Sequence, residues 1–218
     1  MKILYSHGFG VDETGRGLFT DIAAALPEFA HMMFAYDYFD QAKNQLVTSS
    51  LPKNAQLLSE KYGEGKDNIS VIIAHSQGCI SAALADLPGL SQVILLAPPT
   101  SLGTTEQRIA KMMRRDGTVA NDDGSVAYPR RDGSTTLVTK EYMEGNESID
   151  PIAAYNDLAT RTKVAVVRAT EDEVLSINSL EGLDVDSVRM IELSDVHDFL
   201  NNRQGLVSEI KDLLKTSA

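Results

Sequence analysis

The sequence is short of cysteine, of positive charge and of long apolar runs, and each shortage removes a class of protein. A single cysteine, Cys79, cannot close an internal disulfide, and one thiol does not build a structural zinc or iron–sulfur site. No metal and no cofactor are expected. Lys and Arg number 20 against 31 Asp and Glu, a net charge of −11, and such a chain repels phosphate backbones and anionic lipid surfaces. No nucleic-acid partner is expected either. No window reaches the roughly 18–20 apolar residues of a membrane span, and the opening residues 1–8 lack the apolar core of a signal peptide. A soluble cytoplasmic protein is the expectation.

What is present is a globular balance. Hydrophobic residues make up 43% and charged residues 23% of 218 residues, enough to bury a sizeable core in one domain and too apolar for a disordered chain. Three short apolar runs, at residues 71–74, 93–97 and 164–167, are continuous rather than alternating, as strands covered on both faces of a parallel sheet are. Weaker strand signals fall at residues 3–5, 32–36 and 187–193, giving six strands. Helical spacing lies between them: Leu18, Phe19, Ile22, Ala25 and Leu26; Ala55, Leu58 and Tyr62; Ile80, Ala83, Leu84 and Leu87; and Leu206, Val207, Ile210, Leu213 and Leu214. Strands alternating with helices predict an α/β fold with a doubly wound, mostly parallel six-stranded sheet, whose ligands bind beyond the carboxyl ends of the strands.

Residues 98–150 break this rhythm. They exceed one crossover and carry their own turns, Asn121-Asp122-Asp123-Gly124 and Pro129-Arg130-Arg131-Asp132-Gly133. The expectation there is a helix over 105–115, a small antiparallel meander of pieces at 118–120, 125–128 and 134–139, and a return helix from Pro151. This is an insertion at the ligand end of a single domain spanning 1–218.

Chemistry concentrates at strand ends. The run at 71–74 leads into Ala74-His75-Ser76-Gln77-Gly78 and at once into a helix. Strand, sharp turn with Ser at its apex, then helix is the context of a nucleophile elbow, where strain pushes the hydroxyl into a cleft and small neighbours let strand and helix pack closely. Ala74 stands where the G-x-S-x-G pattern has its first Gly. The first strand ends in Ser6-His7-Gly8-Phe9-Gly10, a loop whose backbone N–H groups suit a negative oxygen. A serine needs a base, and the base an orienting acid. Of four histidines, His7 belongs to the first loop, His31 precedes the second strand, and the side chain of His75 diverges from that of its neighbour Ser76. His197 is left, in the loop between the last strand and the last helix. For the acid, the loop after 164–167 offers Glu171, Asp172 and Glu173, and the residues alone leave the three open.

Ser-His-Gly-Phe-Gly at residue 6, Ala-His-Ser-Gln-Gly at 74, Thr-Glu-Asp-Glu-Val at 170 and Val-His-Asp-Phe at 196, in that order and each at the end of a strand, resemble the α/β-hydrolase superfamily. The resemblance covers nearly the whole chain outside 98–150, and that insertion falls where these hydrolases carry a cap. It implies a triad of Ser76, Asp172 and His197, with Glu171 in reserve for the acid, and an oxyanion hole from the backbone N–H groups of Phe9 and Gln77. The two antiparallel strands that usually open the fold are missing, which implies a reduced sheet with an open edge where a second copy could pair.

The expected activity is serine-dependent hydrolysis of a small-molecule carboxylic ester through an acyl-enzyme. The alternatives are a thioesterase or lysophospholipase-like lipid hydrolase, or a hydrolase-fold binding protein with little turnover. Met112, Met113, Leu137, Val138, Tyr142 and Met143 are read mainly as core of the insertion and otherwise as apolar pocket lining. Cys79 reads as a buried small apolar group rather than a reactive thiol.

Overall fold

The continuous apolar runs become the centre of a sheet buried on both faces. The computed structural model describes residues 1–175 and 180–215. Strands β1 (Lys2–Ser6), β2 (Ala30–Met32), β5 (Ile69–His75), β6 (Gln92–Leu96), β10 (Lys163–Ala169) and β11 (Val188–Leu193) form one six-stranded sheet. Its order is β11-β10-β6-β5-β1-β2, and every neighbouring pair is parallel. The alternation of side chains along each strand divides the core in two. Leu4, Ile72, Val93, Leu95, Val164 and Val166 pack on one face beneath α2 (Leu51–Gly65), α3 (Gln77–Leu84) and α6 (Pro151–Arg161). Ile3, Tyr5, Ile73, Ile94, Ala165 and Val167 pack on the other beneath α1 (Leu18–Ala25) and α7 (Arg203–Lys215).

The chain runs from β1 outward to β2 and then returns to the other side of β1 to lay down β5, β6, β10 and β11 in turn. The winding direction therefore reverses between β1 and β5, a topological switch point. The loop after β1 and the turn after β5 leave the sheet side by side there, since Ser6 pairs with Ala74.

Helix α4 (Thr105–Met113) and strands β7 (Val119–Ala120), β8 (Val126–Pro129) and β9 (Thr135–Val138) occupy the positions expected within 98–150. The meander is not self-contained. A hairpin of β3 (Tyr38–Asp40) and β4 (Gln45–Val47) joins it, β4 lying parallel to β9, to give a second, mixed sheet of order β3-β4-β9-β8-β7. Helix α5 (Lys140–Gly145) follows, and Asn146 after it caps α2 by accepting the Leu51 N–H at 2.9 Å. Val126, Tyr128, Val138, Tyr142 and Met143 make this layer's own small core, so most residues weighed above as pocket lining are packing. Met113 is exposed. The second strand of the main sheet also ends earlier than its apolar run suggests. Residues 33–36 leave it, and Tyr36 turns its hydroxyl to Ser6 Oγ at 2.7 Å.

Candidate active site

Ser76 sits between β5 and α3 with φ 54° and ψ −128°, a backbone state that costs about 1–3 kcal/mol for a residue with a side chain. The turn is held by its own hydrogen bonds. Ser76 N–H donates to Leu96 O at 2.9 Å, and Ser76 O accepts from Cys79 N–H at 2.9 Å. Two glycines make the turn possible. A Cβ on Gly78 would overlap the carbonyl oxygens of Ser6 and His7, and one on Gly8 would stand 3.0 Å from Ser76 Cβ. The β1 loop and the elbow therefore touch backbone to backbone. Ala74 is fully buried in the core facing α2 and α3, so its methyl group is accommodated where the pattern has Gly.

His197 Nε2 lies 3.0 Å from Ser76 Oγ, and His197 Nδ1 lies 2.6 Å from Asp172 Oδ2. With Nδ1–H donating to the carboxylate, Nε2 is free to accept the serine proton. The other carboxylate oxygen, Asp172 Oδ1, accepts the backbone N–H groups of Val174 at 2.9 Å and Leu175 at 2.8 Å. Burial alone would raise the Asp172 pKa. The His197 hydrogen bond, the two amides and the charge of the imidazole outweigh it and hold the carboxyl below its ordinary range. All three side chains are largely withdrawn from solvent.

The neighbouring carboxylates have separate tasks. Glu171 Oε1 accepts from Ser194 Oγ and does not meet the imidazole. Glu173 Oε2 accepts the His197 backbone N–H at 3.1 Å. From the other side His75 Nε2–H donates to the His197 carbonyl at 3.0 Å. His197 is thus fixed at ring and backbone together, a role for Glu173 and His75 that their positions in the sequence do not announce. The grouping of His75, His197 and Asp198 has the spacing of metal ligands, but both ring nitrogens of His197 already face Ser76 and Asp172.

His7 governs the β1 loop. Its Nδ1–H donates to Gly8 O at 2.8 Å, while Nε2 accepts the Tyr36 N–H at 2.9 Å. This pairing requires a neutral ring, in keeping with burial lowering the His7 pKa. Because the peptide is planar and trans, drawing the Gly8 carbonyl toward His7 turns the Phe9 N–H the opposite way. The Gln77 N–H belongs to the first turn of α3, whose amides have no carbonyl within the helix to bind. Cys79 is fully buried, and its Sγ–H points at Ala74 O and Leu96 O, both at 3.4 Å. Burial pushes its thiol well above the ordinary range.

The parallel sheet wound in both directions from β1, with Ser, carboxylate and His at the ends of β5, β10 and β11, is an α/β fold shared with solved esterases and hydrolases. Among solved structures, the chain superimposes on Est1E from Butyrivibrio proteoclasticus with a TM-score of 0.64 at 17% identity, over 99% of this chain and 87% of that one. It superimposes on the monoacylglycerol lipase of Paleococcus ferrophilus with a TM-score of 0.63 at 13% identity, over 100% and 95%. The esterase domain of a Rhodothermus marinus protein gives 0.62 at 15% identity, over 96% and 84%. No protein-family model matches the sequence, and no curated protein does. No helix among the described residues is long and apolar enough to cross a membrane.

Proposed function

We propose that the protein is a serine hydrolase of small carboxylic esters. His197 takes the Ser76 proton as the hydroxyl attacks the ester carbonyl, Asp172 steadies the imidazolium, and the N–H groups of Phe9 and Gln77 bind the developing oxyanion. His197 then returns the proton to the departing alcohol. Water, activated by the same imidazole, releases the acid from Ser76. The second sheet, with α4 and α5, is read as a cap over this centre.

The observation that carries the reading is the unbroken line from Ser76 Oγ through His197 to Asp172, at 3.0 and 2.6 Å, starting from a serine held in a strained turn. Esterases and a lipase among the structures that share the fold support an ester substrate.

The test is the Ser76→Ala variant against 4-nitrophenyl butyrate, with circular dichroism to check folding. Turnover should fall at least about a thousandfold, and a fluorophosphonate should label the wild type and not the variant. Unchanged hydrolysis in folded Ser76→Ala would remove the proposal.

A further inference from the structure

Both residues proposed as oxyanion donors are gripped from the cap layer. On one side is the loop after β1, where Phe9 stands between Gly8 and Gly10, and two glycines give its peptide groups little conformational restriction of their own. Their orientation is imposed from outside, one peptide after another. The Gly8 carbonyl is held by His7 within the loop. The Gly10 N–H donates to Asp37, just before β3. The Gly10 carbonyl accepts Arg130 Nη1–H at 2.9 Å. Arg130 lies just after β8, at the start of the turn to β9, and its guanidinium is itself anchored there. Nη1 also donates to Thr136 Oγ1 at 3.2 Å, and Nε lies 3.5 Å from Asp132 Oδ2. The Phe9 ring packs against the small core of the same layer, 5.0 Å from the ring of Tyr142. On the other side Tyr142, in α5, is buried and donates its O–H to Gln77 Oε1 at 2.8 Å.

We propose that the cap layer is a clamp on the oxyanion hole, with Arg130 the positioning residue on the Phe9 side and Tyr142 on the Gln77 side. Neither touches substrate. They keep two N–H groups aimed at the place where negative charge develops, and donors aimed in advance stabilise the transition state without reorganising during the reaction. Misplacement is costly, since a displacement of about 1 Å caused far from the reacting atoms can lower a rate about a hundredfold. The two sides do not depend on the clamp equally. The Gln77 N–H is already directed by the first turn of α3, so Tyr142 only steadies it. The Phe9 N–H belongs to a glycine-flanked loop, and Arg130 holds the backbone of that loop directly. The larger dependence therefore falls on Arg130. The inference rests on the hydrolase reading of Ser76, with Phe9 and Gln77 as its oxyanion donors.

The test uses Arg130→Met, which keeps an unbranched stem and loses the donor, with 4-nitrophenyl butyrate as substrate and circular dichroism to check folding. The kcat should fall about tenfold while KM moves less than about twofold. Butyl trifluoromethyl ketone reports on the oxyanion hole directly: Ser76 Oγ adds to its carbonyl carbon, the serine proton passes to His197, and the carbonyl oxygen becomes the anion that the two N–H groups bind. Its inhibition constant should rise about tenfold, in step with the loss of kcat/KM, while that of butyl methyl ketone, which binds as the plain ketone, moves less than about twofold. In Tyr142→Phe the same pattern should appear at about threefold. That variant keeps the ring that packs in this layer, and it decides the test if Arg130→Met does not fold. Wild-type kcat in the deciding variant, or equal weakening of the two ketones, overturns the clamp and leaves the hydrolase reading standing. A wild type that neither hydrolyses the ester nor reacts with a fluorophosphonate removes that reading, and the clamp with it.

Discussion

An imidazole that passes a proton between two fixed partners must itself be held, and at His197, the proposed base, the holding is done largely through the backbone. Glu173 receives its N–H and His75 donates to its carbonyl, on opposite sides of one residue. Glu173 is exposed, so it can be changed without opening the core. In Glu173→Ala, kcat should drop about tenfold while KM moves less than about twofold, because substrate contacts are untouched and only the aim of the base is lost. Glu173→Gln keeps an acceptor oxygen and should recover most of the rate. A general loss of stability without this split between kcat and KM, or a glutamine variant no better than alanine, would refute the positioning role. Ser76 and His197 can be picked out in the sequence because each lies in the short segment between a strand and a helix. The choice among Glu171, Asp172 and Glu173 cannot, because three consecutive carboxylates differ only in where one turn directs them. Asp37 and Asn54, which line a small cavity beside the loop after β1, are invisible for a related reason: they come from segments that carry no motif.

At the scale of elements, legibility follows the strength of the periodic signal. The strands of the main sheet are buried on both faces and show as uninterrupted apolar runs. The β3-β4 hairpin does not show, since strands of three residues have no period to detect and β4 finds its parallel partner about ninety residues downstream, at β9. Helix α5, six residues long, is too short to display a face. The loop between β11 and α7 shows what a sequence reading overlooks in another way. Asp195 is fully buried and resembles a stray surface acid in the sequence, yet its Oδ1 accepts the N–H groups of Val196 and Asn201 and its Oδ2 that of Asn202, at 2.8–2.9 Å. These bonds shape the loop that presents His197. Asp195→Asn would set an amide N–H against a backbone N–H and should destabilise the fold by about 2–3 kcal/mol, read from urea denaturation, with activity reduced in the protein that remains folded. A variant as stable as wild type would show that the loop does not depend on this carboxylate.

Across the whole molecule, pH acts on buried groups of opposite sense. His75 is lowered by burial first and then by the charge of His197, against upward pulls from its bond to the His197 backbone and from Asp198 and Asp172. His7 is lowered by burial, against its bond to Gly8 and the charges of Asp12 and Glu13. For both, the unfolded chain takes up a proton near pH 6.5 before the native state does, so stability is lost as pH falls below that value. Asp37 runs the other way. Burial pushes its carboxyl up to about 6, against the Ser49 and Gly10 amides and Arg130, whereas the unfolded carboxyl ionises near 3.9. Its ionised form therefore weakens the fold above about pH 6, and that penalty is relieved as pH falls toward 4. Asp37→Asn keeps an acceptor for the two amides and removes the buried charge. It should exceed wild type by about 1–2 kcal/mol near pH 8, with the gap closing by about pH 4, as followed by urea denaturation across that range. A gap that stays constant with pH would mean that the Asp37 carboxyl titrates alike in the folded and unfolded chain, and that its environment beside the β1 loop is far wetter than the structure has it.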